Sequence, residues 1–416
     1  MKPVVLVLAG GQSTRLWPLS DKNLIPVMGK PLIRHQLEGL AKFGFQDIIV
    51  VGNQPVVDFL AGSGLASKAG PCYTHIIKQS SQLTGMAGAI LSAQKIYESK
   101  YKERSLYIVI ANDFFESKLQ SDMLSAWQTN KGDAYIAAYQ VKAYRPQGYL
   151  LLEGDRIKNI VEKPDPDKMP SKWANLGLYI YRQPPLLFAE LKKEQAKDVK
   201  TDDVYERAMS NLMPTQNFQK VEYPRESVIL KYPWHLLDVM ELFLENIKQT
   251  NIDKTVQVSP KATIKGNVMI EKGVKILEGA VVSGPAYIGP NTIIANNALV
   301  RSSAIGADCE IGFGTEIARS YVGDKCRLHT NYIGDSVLEG NNDFGAGAVT
   351  ANFRFDEGNI FSVVKGEKID TQRTKLGAII GRGAKVGVNA SLMPGVKINA
   401  LLVIKPGSIQ NQDLKS

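Results

Sequence analysis

The hydrophobic pattern changes its period once along the chain. Over the first half, short apolar runs alternate with amphipathic stretches. Val4–Leu8 is a Val-rich run leading into Gly10-Gly11, which predicts a buried strand. Leu32–Phe43 carries helical periodicity, Asp47–Val51 predicts the next strand, and Leu106–Ile110 repeats the strand pattern before Ala-Asn-Asp. Alternation of this kind predicts an α/β class with a doubly wound, mostly parallel sheet. Ligands of such sheets sit beyond the carboxyl ends of the strands, which puts Gly10–Arg15 and Asn112-Asp113 on one rim. A helix around Trp234–Lys248 closes this half.

The second half follows another rule. Val258, Ile264, Ile270, Ile276, Val282, Ile288, Ile294 and Val300 follow one another at intervals of six. Four places after each of the first seven comes a small or β-branched residue: Ala262, Val268, Val274, Ala280, Ala286, Thr292 and Ala298. The period returns at Ile380, Val386, Leu392, Ile398 and Ile404, after an interruption by Leu328–Ser336. Neither a helix nor a hairpin sheet has a period of six. A parallel β-helix does, because each short face buries one aliphatic residue. The expected division is residues 1–250 for the α/β domain and 251–416 for a left-handed β-helix of hexapeptide repeats.

Length and charge narrow the function. A chain of 416 residues suits two domains. The net charge of +9 has no Lys/Arg block, which points to phosphorylated substrates rather than nucleic acid. Cys72, Cys309 and Cys326 show no CxxC spacing, so neither a disulfide framework nor a zinc site is expected. That usage suits a reducing, cytoplasmic compartment. Pro3–Ala9 is too short for a signal peptide, and no stretch approaches the length of a membrane span.

The run Leu8-Ala9-Gly10-Gly11-Gln12-Ser13-Thr14-Arg15-Leu16 carries the first candidate chemistry. Glycines let the backbone approach a phosphate, and Arg15 offers a charged fork for its oxygens. The loop is neither a Walker loop nor a Rossmann fingerprint. Lys22-Asn23-Leu24-Ile25-Pro26-Val27-Met28-Gly29-Lys30-Pro31 follows at short range. Together these residues resemble the signature of sugar-1-phosphate nucleotidyltransferases, with its Gly-Gly-x-Gly-Thr-Arg loop, Pro-Lys and Pro-Val-x-Gly-Lys-Pro segments. The resemblance covers about the first 240 residues and implies a Rossmann-like fold, a nucleoside triphosphate, a sugar 1-phosphate and Mg²⁺. It makes Lys22 the phosphate-binding lysine, with Asp21 in place of the usual proline. It assigns Gln79, Gly85 and Met86 to the base, Met86 replacing a threonine. It makes Asp113 the Mg²⁺ ligand, and gives Gly148, Glu162, Lys163 and Asn175 to the sugar and its phosphate. A second metal aspartate of many relatives aligns with Ile229, just before Lys231-Tyr232-Pro233-Trp234, and Asp202 or Asp203 is a candidate substitute.

The segment Leu328-His329-Thr330-Asn331-Tyr332-Ile333-Gly334-Asp335-Ser336 is followed by Asp343-Phe344-Gly345-Ala346-Gly347 and Thr350-Ala351-Asn352-Phe353. This resembles the acetyltransferase domain of bifunctional glucosamine-1-phosphate acetyltransferase/N-acetylglucosamine-1-phosphate uridylyltransferases. The longer tail Ala351–Gly381, with Thr371–Gly377 and its Lys375, is similar to the archaeal-type branch. The resemblance implies acetyl-CoA as co-substrate, UTP as nucleotide donor and a homotrimer with acyl sites between subunits. It makes His329 the general base. It puts Tyr332, Asp343, Ala346, Asn352 and Lys375 at the acceptor and acetyl-CoA site. Asp343 stands for an asparagine, Phe353 for a tyrosine and Ala318 for a phosphate-binding lysine, with Arg319 adjacent and Arg301 near another expected arginine. Two alternatives stay open on the residues alone. One is a monofunctional nucleotidyltransferase, such as a mannose-1-phosphate guanylyltransferase or a glucose-1-phosphate thymidylyl/uridylyltransferase, with a scaffolding β-helix. The other is a regulatory subunit with a degraded metal site.

Overall fold

The computed structural model describes residues 1–64, 73–82, 85–197, 203–225 and 228–416. The chain forms two compact units, Met1–Gln12 with Ile33–Ser227, and Ser13–Leu32 with Val228–Ser416. The change of period near residue 250 therefore falls inside the second unit.

The first unit is built on a nine-stranded sheet. Val4–Ala9 lies between Asp47–Gly52 and Leu106–Ile110, parallel to both, and Tyr73–Lys78 extends the parallel edge. Beyond Leu106–Ile110 the sheet becomes mixed. Trp173–Tyr181 runs antiparallel to Leu106–Ile110 and to Ala134–Gln140, while Phe218–Glu222 is parallel to Ala134–Gln140. Gly148–Glu153 and Arg156–Glu162 form a hairpin about Gly154, whose φ of +60° suits a tight turn. So short a connection can only return antiparallel. The apolar runs are buried as their pattern requires, with Val4, Leu6, Ile49, Val51, Leu106 and Ile108 in one core with Ile90 and Tyr97 of the helix Gly85–Lys100.

The second unit contains three eight-stranded parallel sheets, the three faces of a left-handed β-helix. The first face begins at Asn251–Ile252, the second at Gln257–Val258 and the third at Thr263–Lys265. Ile270, Ile276, Val282, Ile288, Ile294 and Val300 are all buried inward, and the small residues Val274, Ala280, Ala286, Thr292 and Ala298 fill the corners. Val258 is exposed and Ile264 only partly buried, because they sit at the open end of the coil.

The coil is not interrupted at Leu328–Ser336, contrary to expectation. Ile305, Ile311, Ile317, Val322, Leu328, Ile333, Leu338 and Phe344 continue the inward stack, and Thr350 takes the next place. Several corners drop one residue, giving steps of five that a fixed six-residue count misses. Polar corners replace alanine here: the Ser303, Ser320 and Ser336 hydroxyls each accept the backbone N–H one coil on, at 3.0–3.2 Å. The true insertion is 351–378, with a hairpin of Phe361–Val364 and Glu367–Asp370. The coil resumes where Ile379-Ile380 pairs with Val337-Leu338. Cys309 and Cys326 are free and buried, and Cys72 lies outside the described residues.

Candidate active sites

In the first unit the strand ends collect three groups. Leu8 and Ala9 finish the first strand, buried, and Gly10-Gly11 leave it. A Cβ at Gly10 would fall on the Gln79 carboxamide, whose Nε2 donates to the Gly85 carbonyl at 3.1 Å. Gly10, Gln79 and Gly85 thus form one cluster, and Met86 follows Gly85 at the start of its helix, half-buried. Asn53 is a residue the motif reading missed. Its Oδ1 caps the helix Gln54–Gly62 through Val56 N, and its Nδ2 donates to the Gly11 carbonyl at 3.2 Å. Asn before Pro55 at a strand end was the available signal.

Asp113 is 5% exposed, and its carbonyl accepts Gln36 Nε2 at 2.8 Å. A Cβ at Gly177 would meet Asp113 Oδ2, so Gly177 keeps one side of the carboxylate open. A Cβ at Gly148 would press on Asn175 Oδ1 and Glu162 Oε2, which makes these three neighbours. Asn175 Nδ2 donates to the Tyr179 hydroxyl at 2.9 Å. Lys163, at φ +46°, pairs with Glu162 at 3.2 Å. Glu206 was not foreseen. Burial, together with the negative charge of Glu162, pushes its carboxyl up to about 7. Asp203 pairs with Arg207, and Asp202 lies outside the described residues. Among the described residues no group of three or more Asp, Glu, His or Cys could hold a metal.

Arg15 and Lys22 belong to the second unit, on Ser13–Leu32. Ser13 Oγ accepts Lys22 N at 3.2 Å, and Asp21 Oδ1 accepts Asn23 N at 2.8 Å. Asp21 therefore shapes the turn through a side-chain bond. Ile229 offers no carboxylate; its carbonyl lies 2.9 Å from His235 Nδ1.

On the β-helix, His329 and Asp343 line one groove of about 460 Å³ with Arg327, Gly345 and Lys385. His329 is exposed at a coil corner. Asn331, quoted in the motif but not singled out, fixes that corner. Its Oδ1 accepts His329 N at 2.5 Å, and its Nδ2 donates to the Gly345 and Ala348 carbonyls at 2.9 Å. Ala346 is exposed on the same turn. A second group forms separately. Arg319 grips the buried Asp335 at 2.7 and 2.6 Å, and Asn352 Nδ2 donates to Asp335 and to the Tyr332 hydroxyl, the latter at 3.2 Å. Arg301 is held by Glu316 at 2.7 Å. Lys375 bridges Phe353 and is exposed. Among the described residues no hydrogen bond joins His329 to the Tyr332–Asn352 group.

The comparisons with known proteins agree across the chain. A nucleotidyl transferase family model matches residues 4–234, and a GMPPB C-terminal domain model matches 246–339. A bifunctional sugar-1-phosphate nucleotidylyltransferase/acetyltransferase of Sulfurisphaera tokodaii is 32% identical over 98% of this chain and 97% of its own. The bifunctional protein GlmU of Methanococcus vannielii is 27% identical over 99% and 95%. A mannose-1-phosphate guanyltransferase of Pichia angusta is 25% identical over only 66% of this chain. An apo UDP-glucose pyrophosphorylase structure matches with a TM-score of 0.50 at 18% identity, covering 59% of this chain and 99% of its own; it supports the fold of that part alone.

Proposed function

The chain belongs to the nucleotidyl transferase family and, with its full-length relatives, to the bifunctional sugar-1-phosphate nucleotidylyltransferase/acetyltransferases; from that premise we propose its substrates and the roles of its residues. The acetyl acceptor is glucosamine 1-phosphate, and the nucleotidyl acceptor is the N-acetylglucosamine 1-phosphate so formed. UTP is the nucleotide donor, which makes the final product a UDP-sugar.

In nucleotidyl transfer, a sugar 1-phosphate oxygen attacks the α-phosphorus in line and the bond to the bridging oxygen breaks, releasing pyrophosphate. Leu8–Gly11 offer backbone to the phosphates, Arg15 and Lys22 neutralise their charge, and Gln79, Gly85 and Met86 read the base. Gly148, Glu162, Lys163 and Asn175 hold the sugar and its phosphate. A single buried carboxylate kept open by Gly177 suits Mg²⁺, which tolerates few protein ligands and fills the rest with water and phosphate oxygens. Asp113 would hold it, and when bound it neutralises phosphate charge.

In acetylation, His329 takes the ammonium proton of the amino sugar. The freed amine attacks the thioester carbonyl of acetyl-CoA, the C–S bond breaks, and the second nitrogen proton passes to the leaving thiolate. Tyr332, Asp343, Ala346, Asn352 and Lys375 serve acceptor and acetyl-CoA. A homotrimer would place these acyl sites between copies. The exposed Phe313, Val403 and Ile409, at 60–71% exposure, support such packing. The buried thiols of Cys309 and Cys326 fit work in the cytoplasm.

The observation that carries this reading is near-full-length likeness to bifunctional relatives in a chain that sets His329 in a groove on the β-helix. Thiol release from acetyl-CoA and pyrophosphate release from UTP, assayed on one preparation, test it. His329→Ala should lower acetylation by about 10²–10⁴-fold and spare nucleotidyl transfer. Lys22→Ala and Asp113→Asn should do the reverse. A parent enzyme that releases no thiol with any amino-sugar 1-phosphate would refute the acetyl-acceptor assignment.

A further inference from the structure

On a β-helix the residue before each inward position faces out. On the second face that column is largely charged: Lys275, Ile293, Glu310, Arg327, Asp343 and Lys385. On the first face it reads Tyr287, Ala304, Tyr321, Val337, Ile379 and Lys397, in register. All six are 3% exposed or less. An outward column so buried needs a cover, and the same compact unit supplies one in Ser13–Leu32.

Three anchors hold the cover. The Tyr321 hydroxyl donates to the Pro26 carbonyl at 2.6 Å. Trp17 Nε1 donates to Asn399 Oδ1 at 3.1 Å, with the Lys397 and Lys415 ammonium groups 5.3 and 5.7 Å from its ring centre. Between them lies Glu339, 2% exposed. Its Oε1 accepts the Ser20 N–H at 2.6 Å, and its Oε2 accepts the Arg382 N–H at 2.9 Å.

We propose that Glu339 is a positioning residue for nucleotidyl transfer, fastening to the β-helix the segment that carries Arg15 and Lys22. The proposal rests on the reading of Lys22 as a phosphate-binding lysine. Ser20 is two residues before Lys22, and the Asp21 turn lies between them. A charged acceptor on a backbone N–H is a strong bond, and its loss leaves that donor without its partner. The coil itself stands on its backbone ladders and inward stack, so the bond acts chiefly on where Lys22 sits. Transfer by charge neutralisation is sensitive to placement at the scale of about 1 Å.

The test uses the full chain, with both activities and thermal melting measured for each variant. Glu339→Ala should lower kcat for pyrophosphate release by about 10–100-fold, with thiol release unchanged; the melting midpoint falls because two backbone N–H groups lose their acceptor. Glu339→Gln, which keeps one acceptor oxygen, should recover most of that loss. Tyr321→Phe removes a second anchor and should give a smaller, equally selective loss even if Glu339→Ala folds poorly. Selective loss with Gln rescue supports the proposal. Unchanged kcat in Glu339→Ala overturns it, as does an equal fall in both activities that Gln does not rescue. Lys22→Ala separates the two readings. If it stays active, the role of Lys22 is wrong; if it is inactive while Glu339→Ala is not, only the anchoring fails.

Discussion

Arg327 holds Asp343 by two parallel bonds, Nε to Oδ1 at 2.7 Å and Nη2 to Oδ2 at 2.9 Å, on the wall of the groove that His329 also lines. The Arg327 guanidinium offsets the charge that Asp343 brings to this wall. The bond from Arg327 holds the carboxyl below its ordinary range. Both side chains reach solvent, so the pair contributes little to stability. Arg327→Ala should therefore leave melting nearly unchanged. It should leave the Asp343 carboxylate unpaired on the wall of the His329 groove. We expect the KM for acetyl-CoA, an anionic substrate, to rise by roughly 2–10-fold. Arg327→Ala in an Asp343→Asn background should raise it less. An unchanged KM in the single variant would take the pair out of the acetyl-CoA site.

Gly177 offers a test of the metal carboxylate that leaves Asp113 in place. A methyl group there would press on Asp113 Oδ2 and on the Ile110 side chain. Gly177→Ala should raise the Mg²⁺ concentration needed for half-maximal pyrophosphate release and lower the rate by about 10-fold or more. Thiol release should be spared. Mg²⁺ titrations that superimpose on the parent would argue against Asp113 as the ligand.

The fold was legible where a period repeats and illegible where it slips. Ile270 through Val300 and Ile380 through Ile404 announce the coil because each inward place needs an aliphatic residue. Between Val300 and Thr350 the count fails, since corners such as the one before Ile305 lose a residue without losing their place in the stack. Asn331 was visible within a motif, but its task of tying His329 to Gly345 and Ala348 depends on the next coil, 14 and 17 residues on. The clusters around Gly10, Gly148 and Gly177 followed from motif order only in part. What a glycine makes room for appears once its neighbour is known. The body to which Ser13–Leu32 belongs could not be read from local pattern. The signal for it lay elsewhere, in Tyr287, Tyr321, Val337 and Ile379, apolar residues at places where a bare coil would be polar.

His235 makes the second unit sensitive to acid. Burial lowers its pKa from 6.5 to about 4, partly offset by Asp238 and by the bond to the Ile229 carbonyl. The unfolded chain takes up the proton near 6.5 and the folded chain only near 4. Stability should therefore fall as pH drops through that window, by on the order of 1–3 kcal/mol. His235→Gln should flatten melting of the full chain between pH 6.5 and 4. A variant that loses stability with acid as steeply as the parent would assign the effect to other groups.

Glu206 should give the opposite slope. Burial first, and then the charge of Glu162, raise its carboxyl from 4.5 to about 7. Below about pH 4.5 it is protonated in both folded and unfolded chains, and its contribution is complete. As pH rises toward 7 the unfolded chain loses the proton before the folded chain does, so stability falls. A consequence for function follows from its neighbours. The charges of Glu162 and Lys163 both act on Glu206, and these two residues are the proposed holders of the sugar and its phosphate. Neutral Glu206 adds no repulsion there; ionised Glu206 adds a negative charge against an anionic substrate. Between pH 6 and 8 the KM for the sugar 1-phosphate should rise by roughly 2–5-fold more in the parent than in Glu206→Gln. The KM for the nucleoside triphosphate should show no such difference. Measuring both constants across that range, after subtracting the titration of the sugar phosphate itself, isolates the carboxyl. If the parent and Glu206→Gln follow the same curve, Glu206 is a buried acid of the helix Val204–Leu212 with no bearing on the sugar site.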